Sequence, residues 1–144
     1  MKINKCLIVE DDNVKCSDII GFINELYRDI RIDRKSSLNS GMVEMSTNEY
    51  DLILLDMSLP LFEGKKNIYF NPYGGIEFLE EMEQIGNETP VVVVTQFSIF
   101  GEGKNEKTFE ELKKHCLTAF KNCMGVVYFF NYSWKEELRN IMES

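Results

Sequence analysis

Hydrophobic and polar positions alternate between two periods along this chain. The runs "KCLIVE" (5–10), "DIRID" (29–33), "DLILLD" (51–56), "VVVVT" (91–95) and "VVYFF" (126–130) are short and rich in β-favouring residues, and they predict five strands. Three of them are continuously apolar, as central strands of a parallel sheet covered on both faces should be. Between them apolar residues recur at helical spacing. Val14, Ile19, Ile20, Ile23 and Leu26 mark one stripe, Leu38, Met42 and Met45 a second, and Ile76, Leu79, Met82 and Ile85 a third. Phe109, Leu112, Cys116 and Phe120 form a fourth, opened by Thr108-x-x-Glu111, and Ser133-x-x-Glu136 opens a last helix carrying Leu138 and Ile141. Both openings have the form of a capping box.

The order is therefore βα repeated five times, which implies an α/β fold with a five-stranded parallel sheet and helices on both faces. Such doubly wound folds place their sites at the carboxyl ends of the strands. Here the first strand ends in Glu10, Asp11 and Asp12, the third in Asp56 and the fourth in Thr95. Taken singly, Asp56 reads as a cap for the next turn, and Glu10 and Asp11 as a capping cluster at the first helix. Taken together they predict a shared site, because crowded carboxylates raise one another's pKa unless a cation lies among them. Oxygen ligands of this kind suit a hard divalent ion, Mg²⁺ above all.

Length and charge narrow the classes. The 144 residues predict a single domain, 1–144, large enough for a real core. With 24 acidic against 16 basic residues the net charge is −8, which disfavours a nucleic-acid partner and fits a divalent cation or a basic protein. The opening "MKINKCLIVEDD" has too short an apolar run for a signal peptide, and nothing approaches the ~20 apolar residues of a membrane span. A cytoplasmic protein with no membrane partner is expected. Cys6, Cys16, Cys116 and Cys123 lack metal-ligand spacing and read as reduced structural thiols. His115, the one histidine, sits in the fourth helix without catalytic context.

In this order, "LIVEDDN", "LILLDMSLP" and "VVVVTQ" resemble the receiver domain of two-component response regulators. The resemblance implies a flavodoxin-like (βα)5 fold with strand order 2-1-3-4-5. It implies that Glu10 and Asp11 help bind Mg²⁺ with Asp56 and the backbone carbonyl of Ser58. Asp56 would accept a phosphoryl group from a histidine kinase or phosphotransfer protein. Pro60 matches the family's proline after the acceptor, Thr95 the hydroxyl that turns to the phosphoryl oxygens, and Tyr128 the aromatic switch position of the fifth strand. The output surface would be the fourth helix and fifth strand, facing a downstream protein. The role implied is signalling rather than enzymatic turnover, beyond any intrinsic autodephosphorylation.

Departures cluster at the same edge. Asn131 stands where the family carries a lysine that pairs with the phosphoryl group, and a charge-assisted bond of that kind is worth roughly 1.5–3 kcal/mol. Gln96, followed by Phe97, stands where a small residue normally admits donor and water. Insertions are expected at about 61–74 and 97–107, the second ahead of a fourth helix of unusual length. In the first, Lys65 and Lys66 are candidate replacements for the missing cation or simply solvated lysines, and Tyr69, Phe70 and Tyr73 form either a lid or partner-binding patch, or pack the loop onto the body. Two readings result. One is a stand-alone receiver phosphorylated on Asp56, with no room for an output domain after the last helix; the other is a receiver-like interaction module that works without phosphorylation. A Toprim-type metal enzyme is set aside, since it would need a second acid where Ser58 stands.

Overall fold

The computed structural model describes residues 1–64 and 70–144. Five strands build the main sheet: β1 (Lys5–Val9), β2 (Arg31–Lys35), β3 (Leu52–Leu55), β6 (Val91–Thr95) and β9 (Cys123–Tyr128). All pair in parallel, in the order β2-β1-β3-β6-β9. Helices α1 (Asn13–Leu26), α2 (Leu38–Thr47), α3 (Gly74–Gln84), α4 (Phe109–Ala119) and α5 (Trp134–Glu143) connect or follow them. The predicted α/β architecture and strand order are those observed.

Successive strand side chains point to opposite faces, so a strand buried on both must be apolar at every position. Leu52 and Leu54 join Ile8, Val92 and Val94 beneath α1 and α5, whereas Ile53 and Leu55 join Val9, Val91 and Val93 beneath α2, α3 and α4. Each such fully buried side chain contributes about 1.5–3 kcal/mol of transfer free energy. Edge strand β2 begins two residues later than its sequence pattern predicts, and none of its residues is fully buried. With less apolar area to bury, alternation gave its bounds poorly.

Three local expectations are corrected. Ile19, Ile20, Ile23 and Leu26 face the core as the stripe predicts, but Val14 is 73% exposed and its neighbour Lys15, at 1%, is buried instead. Helix α4 has 11 residues, no more than α3; the added chain forms a ribbon of two-residue strands, β7 (Ile99–Phe100) and β8 (Lys107–Thr108). The capping box forms at Thr108 and Glu111. It does not form at Ser133, whose hydroxyl is instead shared between Asn131 Oδ1 at 2.9 Å and Glu137 Oε2 at 2.7 Å.

A second short ribbon pairs β4 (Leu59–Pro60) with β5 (Phe70–Asn71). Tyr73 joins the insertions: its hydroxyl donates to Phe100 O at 2.8 Å and also contacts Asn105 O, and its ring packs 6.4 Å from Phe100. Of the two readings of Tyr73, loop packing is observed. Lys65, Lys66 and Tyr69 lie outside the described residues. Among the described residues all four cysteines are buried and free, and no helix is long and apolar enough to cross a membrane.

One close approach fixes where β3 delivers its terminal carboxylate. Gly75 N–H donates to Met57 O at 2.8 Å, and a Cβ on Gly75 would lie 2.9 Å from Asp56 O and 3.0 Å from Met57 Cα. These are backbone atoms that cannot swing aside. Gly75→Ala should therefore cost about 1–3 kcal/mol of stability, read as a lower urea midpoint at unchanged slope; an unchanged midpoint would contradict this packing.

Candidate functional site

At the carboxyl edge, Asp56 N–H donates to Val9 O at 3.0 Å, and Glu10 N–H to Lys35 O at 2.9 Å. The parallel ladders thereby carry Glu10 and Asp56 to the same level. Arg34 steadies the turn by donating from Nε and Nη2 to the Glu10 carbonyl at 3.1 and 3.0 Å. Glu10 and Asp56 are each 2% exposed, and Asp11 lies beside them at the surface. One carboxylate oxygen from each of the three falls within 4.8 Å of the others. The acids predicted from the sequence do converge.

Asp12 takes the capping role, accepting from Lys15 N–H at 3.0 Å at the start of α1. Glu10 Oε2 accepts from Asp12 N–H at 3.1 Å. Helix capping therefore falls to the third acid of the run.

Lys15 lies at the centre of the cluster and was not singled out from the sequence. Its Nζ sits 2.6 Å from Glu10 Oε1 and 3.2 Å from Asp56 Oδ1, and donates to Val94 O at 2.7 Å. Three contacts match the three hydrogens of an ammonium. The Phe129 ring lies 6.0 Å from Nζ on a further side. A signal for this residue existed: Lys15, Ile19, Phe22 and Leu26 share one helical face.

With all three carboxylates ionised against one ammonium, the cluster would carry two negative charges in excess. Burial, and then the charge of Asp56, push the Glu10 carboxyl up to about 7, with Lys15 acting in the opposite sense. Burial likewise raises Asp56 against the lowering effect of Lys15, and burial with the charge of Glu10 raises Asp11. All-oxygen ligands, an excess of two charges and carboxyls held above their ordinary range fit a divalent ion such as Mg²⁺.

The remaining candidate residues make contacts of their own. Thr95 is fully buried, opposite Tyr128 in the β6–β9 register, and its hydroxyl oxygen accepts from Phe97 N–H at 3.3 Å. Tyr128 is half-buried, with Phe109 at 5.6 Å and Phe130 at 6.2 Å. The Ser58 hydroxyl donates to Pro72 O at 3.0 Å, tying the first insertion to the site. Asn131 is exposed and its Oδ1 accepts from Ser133 N–H at 3.1 Å. Gln96 is half-buried and Phe97 exposed, while His115 lies on the surface of α4.

No family model matches this sequence. The Detocs response regulatory protein DtcB of Enterobacter cloacae is 26% identical over 141 residues, covering 92% of this chain and 94% of that protein. The CheY-like receiver domain from Methanospirillum hungatei superposes with a TM-score of 0.67 at 16% identity, covering 99% of this chain and 93% of that one. The chain has the fold of response regulator receiver domains. A second receiver, from the sensor histidine kinase PA1611 of Pseudomonas aeruginosa, superposes with a TM-score of 0.64 at 17% identity over 99% of this chain and 97% of its own. That receiver is described with magnesium coordinated in its active-site cleft. In the present chain, Glu10, Asp11 and Asp56 meet at the carboxyl edge of the sheet.

The raised Glu10 carboxyl has a signed consequence for stability. Between about pH 4.5 and about pH 7 the folded chain holds a proton that the unfolded chain has released. Folding stability contributed by this group is therefore lost as pH rises through that window. Thermal melting in metal-free buffer should show Glu10→Gln gaining on the wild type as pH rises from the acid to the neutral end. A constant difference across the window would contradict the assignment.

Proposed function

We propose that this chain is a response regulator receiver that accepts a phosphoryl group on Asp56 in a Mg²⁺-dependent reaction and signals through protein contacts. The observation that carries this reading is the buried Asp56 carboxylate held at the strand edge among Glu10, Asp11 and Lys15. Such an arrangement does its chemistry by positioning and charge compensation rather than by proton transfer.

Asp56 Oδ1 already accepts from Met57 N–H at 2.8 Å and lies 3.2 Å from the Lys15 ammonium, which leaves Oδ2 the less engaged oxygen. Oδ2 is then the nucleophile. Its attack on the phosphorus of a phosphohistidine forms the acyl phosphate as the P–N bond breaks and the imidazole takes the electron pair. Mg²⁺ held by Glu10, Asp11, Asp56 and the Ser58 carbonyl would compensate the negative charge of the phosphoryl oxygens. Thr95 would turn its hydroxyl toward the new oxygens, and Tyr128 would move into the space released. Motion of that kind would reach α4 and β9, where Leu117 is 42% and Met124 42% exposed. A histidine kinase or phosphotransfer protein would be the donor, and a downstream protein on that face the receiver of the signal. The activity is that of a phosphoacceptor in the cytoplasm.

One observation favours the second reading. Lys15 already supplies a positive charge to Glu10 and Asp56, so part of the acid cluster has a structural role without phosphorylation. On that reading the chain is an interaction module with a receiver fold.

Intact mass decides between them. Incubation with a phosphoramidate donor in Mg²⁺ should add one phosphoryl group, the gain should vanish without Mg²⁺, and Asp56→Asn should abolish it. No gain from this donor or from a cognate kinase, with Mg²⁺ still bound, would leave the interaction module.

A further inference from the structure

We infer that Lys15 is the cation that contacts the transferred phosphoryl group, a role reached from α1 rather than from the segment after β9. The inference rests on the phosphoacceptor reading of Asp56. After β9, Asn131 is exposed and its Oδ1 accepts from both the backbone N–H and the hydroxyl of Ser133. Lys15, by contrast, is 1% exposed and its ammonium touches Asp56 itself.

Its position lies between the acceptor and the switch. Asp56 follows β3, Val94 lies in the neighbouring strand β6, and Lys15 Nζ bridges Asp56 Oδ1 to Val94 O, the carbonyl next to Thr95. An ammonium placed there is beside both the acceptor carboxylate and the residue whose hydroxyl would turn toward the product. Burial keeps it free of competing water, where a charge-assisted contact is at its strongest. A buried lysine is uncommon because its solvation is costly, and this one is held by three oxygen contacts.

Charge accounting supports the same assignment. Converting the Asp56 carboxylate to an acyl phosphate replaces one negative charge with nearly two and adds three acceptor oxygens. Lys15 then loses part of its partner at Asp56 Oδ1 and gains a more highly charged one at the same edge. Val94 O and Glu10 Oε1 anchor the amine while its third hydrogen follows the charge. The ammonium and a divalent ion also share Glu10 and Asp56 as ligands, so removing the amine should favour the metal.

The test is the Mg²⁺-dependent rate of phosphorylation of Lys15→Met against wild type and Lys135→Met, whose lysine lies at the surface over Phe22 and Trp134. Each protein is also melted with and without Mg²⁺. Lys15→Met should be slowed at least about tenfold, with a Mg²⁺-induced rise in Tm no smaller than that of wild type, while Lys135→Met keeps the wild-type rate. A Lys15→Met rate matching wild type would overturn the inference and leave Lys15 a structural counter-ion. Loss of both the rate and the Mg²⁺ response would also overturn it, because Lys15 would then merely hold the acids in place. Failure of wild type to take up a phosphoryl group would instead remove the phosphoacceptor reading on which the inference stands. Should Lys15→Met not fold, the wild-type chain labelled with ¹⁵Nζ-lysine answers: the Lys15 resonance, assigned with Lys15→Arg, should shift on phosphorylation, and an unmoved resonance would refute the contact.

Discussion

Two carboxylates buried at neighbouring strand ends, with one lysine ammonium between them, set the terms for the rest of this molecule. Glu10 and Asp56 are withdrawn from water by the same parallel ladders that make the sheet. A buried carboxylate without compensation is expensive, and a single ammonium cannot neutralise two such groups and Asp11 as well. The fold thus maintains a local charge deficit at an otherwise well-packed edge. A site in that state favours whatever brings positive charge, and it is sensitive to whatever adds negative charge.

The scaffold makes this sustainable. Two apolar layers hold β1, β3 and β6 from both sides, and the close contact of Gly75 with the Asp56–Met57 backbone clamps the turn after β3. Ser58 and Tyr73 extend that clamp into the insertions, through Pro72 O and Phe100 O. Rigidity around the acids keeps them from relaxing apart, which is how their mutual repulsion persists. In this sense the added ribbons belong to the site's support.

Much of this was legible from sequence because period two and period 3.6 alternate cleanly. "LILL" and "VVVV" can be apolar at every position only where both faces are covered, and the ends of those runs marked Asp56 and Thr95. Lys15 escaped the same logic. Counting apolar residues placed α1 correctly from Ile19 to Leu26 but put Val14 in its first turn toward the core, where the helix buries Lys15, whose charge has three oxygen partners. Hydrophobic periodicity carries no information about a polar residue whose partners lie on other strands. The ribbons were illegible for a different reason: two-residue strands are too short to show any period. Ser133 had the spacing of a capping box, but Asn131 and Glu137 offered its hydroxyl better partners.

On this proposal the cluster is a cation site only partly filled by Lys15. A crystal structure of the chain grown with Mn²⁺ in place of Mg²⁺, measured for anomalous scattering, tests this directly. One anomalous peak among the Glu10, Asp11 and Asp56 carboxylates, with Lys15 still buried beside them, is the predicted result. An anomalous map empty at that edge at millimolar Mn²⁺, with the ammonium contacts unchanged, would show that the lysine alone satisfies the acids and would contradict the account.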